Sequence, residues 1–237
     1  MDEKKFYEMI DEREGYASLS FPALMRKVYV WMTLALVITA ITAYGVGTSP
    51  GLVALVYSSK FTFFGLMLVQ LAVVIGLSSA INRMSLATAT LMFVLYSVLT
   101  GVTFSGIVSI YDPMLVTKVF FITAGTFGIM SLIGYTTKAD LTSLGRLLLM
   151  GLLGIILATV VNIFMRSSML DVVCSYIGVA VFIGLTAYDT QKIRQMMAVC
   201  PDAGEEAQKL ALLGSLSLYL DFINIFLYLL RIFGRDE

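Results

Sequence analysis

Histidine is absent from this 237-residue chain, which excludes imidazole acid–base catalysis and histidine-ligated metal centres. Cysteine is nearly absent too. Cys174 falls near one end of a predicted sixth membrane helix and Cys200 in the loop after its other end, on opposite faces of the membrane, so no disulfide is expected between them, and nothing around either thiol resembles a metal-ligand spacing. Charged residues make up only 14% of the chain and balance at 16 acids and 16 bases, which leaves no global charge to recruit nucleic acid. The first twenty residues are charged and lack an apolar core, so no cleavable signal peptide is expected. No nucleotide-binding loop is visible. With these pieces missing, no enzyme activity and no cofactor are expected.

What the chain has is apolar surface. Hydrophobic residues reach 59% and mean hydropathy is +0.90, more than one aqueous core of this size hides. Uncharged stretches run over 28–59, 61–82, 84–111, 119–137, 147–165, 172–188 and 210–230, the last broken only by Asp221. Spanning a bilayer takes about 20 residues. The runs therefore predict an all-α integral membrane protein with seven helices, at about 27–47, 61–82, 85–110, 114–136, 146–166, 171–192 and 208–231. Strands are excluded by run length and by the lack of period-2 alternation. Pro22, Pro50, Pro113 and Pro201 are expected outside helix interiors or at helix starts. Residues 1–26 form a cytoplasmic tail in this reading, with 2–14 as a solvated stub, and 27–237 form one membrane domain. The 14 methionines and 15 phenylalanines read as lipid-facing and packing residues. Eleven of the 16 lysines and arginines fall on the side of the N-terminus, which predicts a cytoplasmic N-terminus and an outer C-terminus.

Against this cleared background two acids stand out, Asp189 and Asp221. A carboxylate at the centre of a membrane helix costs roughly 2.5–3.5 kcal/mol on insertion scales, so one that persists is a candidate for ion or proton work. Asp221 belongs to a row, because Gly214, Ser217, Asp221, Asn224, Tyr228 and Arg231 recur every three or four residues and share one helix face. Such a face lines either a polar path or a set of interhelical hydrogen bonds. The row suggests a seventh helix at the centre of the bundle. Asp189 precedes Thr190, Gln191 and Lys192 about one turn inside the end of the sixth helix, where an acid is equally compatible with simple solvation at the membrane edge. Asp221 lies about 18 Å along its helix from Lys209 at 1.5 Å per residue, so the two acids are expected at different depths. Arg83 ends the second helix as either a positive-inside anchor or a partner for an ionised aspartate.

The segments GLTAYDTQKI (184–193) and SLYLDFINIFLYLLRIFG (217–234), with the entry LMRKVYVWMTLALVITAITAY to the first helix, resemble the Bax inhibitor-1 family in its bacterial form. The resemblance covers essentially the whole chain. It implies seven helices with the last wrapped by the first six, a bacterial inner (plasma) membrane location, and a pH-sensitive calcium leak. By the same resemblance Asp189 and Asp221 match a two-aspartate pH sensor, Arg83 the base that pairs with it, and Arg231 an arginine that locks the outer side. Some members offer that arginine an acid within the second helix; here that helix holds only Gln70 and Asn82, which leaves the lock without its partner. Two carboxylates within hydrogen-bonding distance cannot both ionise easily, so the pair would share a proton. Ca²⁺, bound or permeant, suits carboxylate, carbonyl and water oxygens and would compete with that proton. The expected partners are the lipid bilayer, calcium ions, protons and membrane proteins.

Competing classes fare worse. An intramembrane aspartyl protease needs its second acid in Gly-x-Gly-Asp, and this chain reads Leu218-Tyr219-Leu220-Asp221 with no Pro-Ala-Leu element after it. A retinal protein needs a lysine in the seventh helix, and none follows Lys209; a seven-span zinc lipid hydrolase needs histidines. A non-transporting regulator of stress, cell death or membrane-protein quality control, acting through partners, is the alternative that the resemblance also allows.

Overall fold

A computed structural model describes residues 3–200 and 203–235, with residues 3–20 by backbone alone. Eight α-helices follow one another among the described residues: α1 Glu3–Gly47, α2 Pro50–Tyr57, α3 Lys60–Ala80, α4 Leu86–Ile110, α5 Pro113–Thr136, α6 Thr142–Met165, α7 Ser168–Ala198 and α8 Glu205–Phe233. Seven of them are long and apolar enough to cross a membrane, namely α3 to α8 and the stretch Phe21–Gly47 of α1. The remaining one, α2, has eight residues, too few to span.

The uncharged runs become helices because a backbone without water must satisfy its own polar groups. Their ends carry local signals. Ser59 caps α3 by accepting the Phe61 N–H at 3.2 Å, and Asp112 caps α5 by accepting the Leu115 N–H at 3.3 Å, with Pro113 at the first helical position. α6 ends at Arg166, which takes a left-handed conformation at φ 51°; the Asn162 side chain accepts the next N–H, from Ser167, at 2.9 Å.

Three expectations need correction. Pro22 lies inside α1, because the helix that enters the membrane is continuous with residues 3–20 instead of starting near residue 27. α2, beginning at Pro50, was not foreseen, since eight residues between two apolar runs give no periodic signal. α7 continues to Ala198, six residues past its expected end, because Lys192 and Arg194 extend a helix beyond the apolar run without breaking it. Pro201 and the solvated character of stub 2–14 lie outside what the structure describes.

The chain divides into two compact units, Met1–Ser109 with Ile193–Leu216, and Ile110–Lys192 with Ser217–Glu237. In the first, Gly101 of α4 lies against Thr39 and Thr42 of α1, where an added Cβ would stand 2.6 Å from the Thr42 Cβ. Thr39 donates across to the Ser97 carbonyl at 3.0 Å. Tyr57 of α2 donates to the Thr103 carbonyl at 2.6 Å and accepts the Gly106 N–H at 2.9 Å. Gln70 of α3 donates to the Thr103 hydroxyl at 2.7 Å, so this polar residue of the second span is held by α4. In the second unit, Ile155 of α6, Val181, Phe182 and Leu185 of α7, and Ile225 of α8 form a buried cluster. Phe127 and Phe120 of α5 each place their rings 5.6 Å from Phe222 of α8.

Candidate functional site: a carboxylate pair on α7 and α8

Most buried hydroxyls in the spans are satisfied by their own helices. Ser97 donates to the Phe93 carbonyl at 2.9 Å, Thr123 to Val119 at 2.8 Å, Thr186 to Phe182 at 2.8 Å and Ser215 to Ala211 at 2.7 Å. This back-bonding to the preceding turn is how a Ser or Thr avoids an orphaned donor in an apolar interior. A carboxylate has no donor to offer when ionised and cannot use that route. Asp221 is 4% exposed, and its Oδ2 is the single buried side-chain nitrogen or oxygen among the described residues that lacks a hydrogen-bond partner.

Asp189 is half-buried in a segment whose other residues are anchored. Ala187 presents its backbone to Gly134 of α5, so closely that a Cβ on the glycine has no room, and the Tyr188 ring covers Gly145 of α6. Thr190 shares a 3.2 Å hydrogen bond with Ser131 of α5. Gln191 grips the α5–α6 loop, donating to the Ala139 carbonyl at 2.7 Å and accepting the Leu141 N–H at 2.9 Å. At about 100° per residue, positions 187, 188, 190 and 191 cover one side of α7, and 189 falls diametrically opposite their centre. Packing therefore aims Asp189 away from α5 and α6. The charges that act on it include Lys192, one turn along α7, and Asp189 in turn acts electrostatically on Asp221.

The depth difference expected from the sequence shrinks to about one turn. The Tyr228 ring covers Gly178 and lies 5.9 Å from the Phe182 ring in a stacked arrangement. In an antiparallel pair, Tyr228 beside Gly178 sets Asp189 level with Ser217, so Asp221 is four residues further on, roughly 6 Å at 1.5 Å per residue. The 18 Å along α8 is unchanged; the difference shrinks because α7 runs on to Ala198, which sets Asp189 about nine residues inside its end and not three.

The rest of the α8 row divides by burial. Ser217, Asn224, Tyr228 and Arg231 are half-buried, while Gly214 and Asp221 are buried. Asn224 donates back to the Leu220 carbonyl at 2.7 Å. Across its most apolar window α8 is 67% buried, against 6–39% for the other spans. Arg231 does find an acid, though not in the second span. It donates to Asp171 Oδ1 at 3.2 Å, and Arg235 reaches Oδ2 of the same carboxylate at 3.4 Å. The Arg231 guanidinium also lies 5.7 Å from the Tyr228 ring centre. Asp171 was missed by sequence reasoning, although antiparallel pairing puts the start of α7 beside the end of α8 and would have flagged it.

Arg83 belongs to the first unit, at the end of the 3₁₀ turn Ile81–Arg83. It is exposed and has no ion pair among the described residues. The turn is fastened to the start of α8, where Lys209 donates to the Met84 carbonyl at 3.2 Å and Glu205 Oε1 accepts the Leu86 N–H at 2.9 Å. Cys174 and Cys200 are both buried and neither forms a disulfide. Among the described residues no group of three or more acids, thiols or imidazoles is placed to hold a metal. A calcium ion at the pair would meet two carboxylates and need its other oxygens from hydroxyls, carbonyls or water.

Comparison with known proteins agrees with the resemblance. The family model described as "Inhibitor of apoptosis-promoting Bax1" matches residues 22–237. The chain is 46% identical over 212 residues to the inner membrane protein YbhL of Escherichia coli (strain K12), covering 89% of this chain and 91% of that one. It is 46% identical over 211 residues to an uncharacterized protein of Borreliella burgdorferi, covering 89% and 91%. A membrane protein of Streptococcus pyogenes serotype M1, itself uncharacterized, is 36% identical over 186 residues, covering 78% and 80%.

Proposed function

The chain belongs to this family of Bax inhibitors and is a multi-pass integral membrane protein, and from that premise we propose that it is a pH-sensitive calcium leak gated by Asp189 and Asp221. The observation that carries the reading is the orphaned Asp221 Oδ2 in an interior whose hydroxyls are otherwise satisfied. Leaving a buried acceptor unpaired costs about 1–3 kcal/mol. A group retained at that cost is explained if its partner comes and goes, and a proton or a cation does so.

The chemistry follows from two carboxylates that sense each other. With one shared proton the pair carries a single negative charge and satisfies the orphaned oxygen. With none it carries two charges in a poorly hydrated place and demands a cation. Calcium binds carboxylate and carbonyl oxygens with loose geometry, so it enters as cargo that competes with the proton. A protein base held by the doubly ionised pair would keep the path closed, and protonation would release it. The base expected in that role is Arg83; Arg83→Gln should raise the leak at pH 8 to its pH 6 level. The orientation proposed is N-terminus in and C-terminus out, which makes the α7–α8 junction cytoplasmic. A leak needs no energy-coupling step and no bond-making chemistry, so the proposal is a conduction path and not an enzyme.

Calcium flux in vesicles reconstituted with the protein, followed by a trapped dye from pH 6 to 8, tests this. Wild type should leak faster as pH falls. Asp189→Asn and Asp221→Asn, each with a neutral amide in place of the titrating group, should change the flux and flatten its pH dependence. Wild-type profiles in both variants would remove the pair from the gate.

A further inference from the structure

Gln191 is 5% exposed, and both ends of its amide are used on the backbone of a single loop, at Ala139 and Leu141. That loop, which joins α5 to α6, is braced from its other side as well: Asp140 Oδ1 accepts the Thr142 N–H at 2.9 Å where α6 begins. Gln191 therefore fastens α7 to a small, internally tied loop. Its direction matters more than its strength. By the helical wheel Gln191 lies within about 20° of the centre of the arc anchored to α5 and α6, so it stands about 160° from Asp189. A rotation of α7 that swings Asp189 towards or away from Asp221 must break the two amide bonds or drag the loop with it.

We propose that Gln191 is a positioning residue for the carboxylate pair, setting through the α5–α6 loop the rotation of α7 and hence the approach of Asp189 to Asp221. The inference rests on reading that pair as the proton-sensing gate. Lys192 on α7 acts on Asp189, and Asp189 acts on Asp221 of α8; the loop that Gln191 holds carries Lys138 and Asp140, and Arg146 of α6 acts on Asp140. Gln191 carries no charge, so replacing it by methionine alters the geometry of the pair without altering the charges around it.

Two variants separate positioning from packing. Gln191→Met keeps the length and removes both hydrogen bonds. Gln191→Glu keeps the acceptor for Leu141, but its second oxygen can face the Ala139 carbonyl only when protonated. In the vesicle flux assay, Gln191→Met should move the midpoint of the pH profile by about half a unit or more. Gln191→Glu loses the bond to Ala139 whenever it is ionised and should also move the midpoint. In an Asp189→Asn background, Gln191→Met should leave the flux within twofold of Asp189→Asn alone, because the approach it controls no longer titrates. An unshifted midpoint in both Gln191 variants, or the same fold-change with and without Asp189, overturns the inference while leaving the gate intact. A wild-type pH profile in Asp189→Asn overturns the gate and this inference with it. Should the methionine variant fail to fold, the glutamate variant carries the test through the comparison with and without Asp189.

Discussion

Replacing Asp221 by leucine should make the protein more stable and end its pH response. Leucine has the same number of side-chain heavy atoms as aspartate, so the exchange leaves no cavity at a position that is 4% exposed. It removes an acceptor that has no partner, a relief of about 1–3 kcal/mol. For a chain of 237 residues, each 1 kcal/mol shifts the melting temperature by about 2–4 °C, so the gain should be roughly 2–12 °C. The two buried thiols of Cys174 and Cys200, neither of them in a disulfide, provide the readout, because a thiol-reactive dye reports their exposure as the protein unfolds in detergent. Asp221→Asn is the control: its amide keeps a polar group in the same place and should gain little. A melting temperature below wild type for Asp221→Leu would mean that Asp221 is a satisfied structural residue. Full pH-dependent flux in that variant would refute its role in the gate.

Other predictions follow from the same geometry. Asp171→Asn breaks the contact with Arg231 and Arg235, but side chains still 31–42% exposed form pairs worth about 0–1 kcal/mol, so flux should change by less than about fivefold. Gly134→Ala pushes a Cβ into the Ala187 backbone, where nothing yields easily; it should destabilise by about 1–3 kcal/mol, seen as a lower melting temperature in the thiol assay. Outside the spans, hydrogen bonds from Thr142 hold the Asp140 carboxyl below its usual range. A carboxyl held low in the fold stabilises it above the unfolded value and loses that contribution as pH falls through the folded one. Asp140→Ala should therefore melt below wild type at neutral pH, and the gap should close in acid below about pH 4.

The seven spans were legible because charge is rare enough to punctuate the chain, and each uncharged run holds the greater part of one helix long enough to span. What failed did so for local reasons. Pro22 removes one backbone donor but does not stop a helix that already runs through residues 3–20. Lys192 and Arg194 mark the end of the apolar run and not the end of α7, and that error alone produced the apparent mismatch in depth. At the site, the α8 row was readable because three- and four-residue spacing is a property of one helix. Asp171 and Gln191 were not, because their roles depend on which helices pair: α7 with the end of α8 for one, α7 with the α5–α6 loop for the other. Nor did any spacing reveal that Gly134 and Gly145 make room for the segment that carries Asp189.

The most direct test of the central claim is a double-mutant cycle on calcium flux, with wild type, Asp189→Asn, Asp221→Asn and the double variant measured from pH 6 to 8 in the same vesicles. If the two carboxylates act as one proton-sharing unit, either single substitution removes the pH dependence and the second adds nothing further. Single variants that keep the wild-type profile, or effects that simply add in the double variant, would contradict the account.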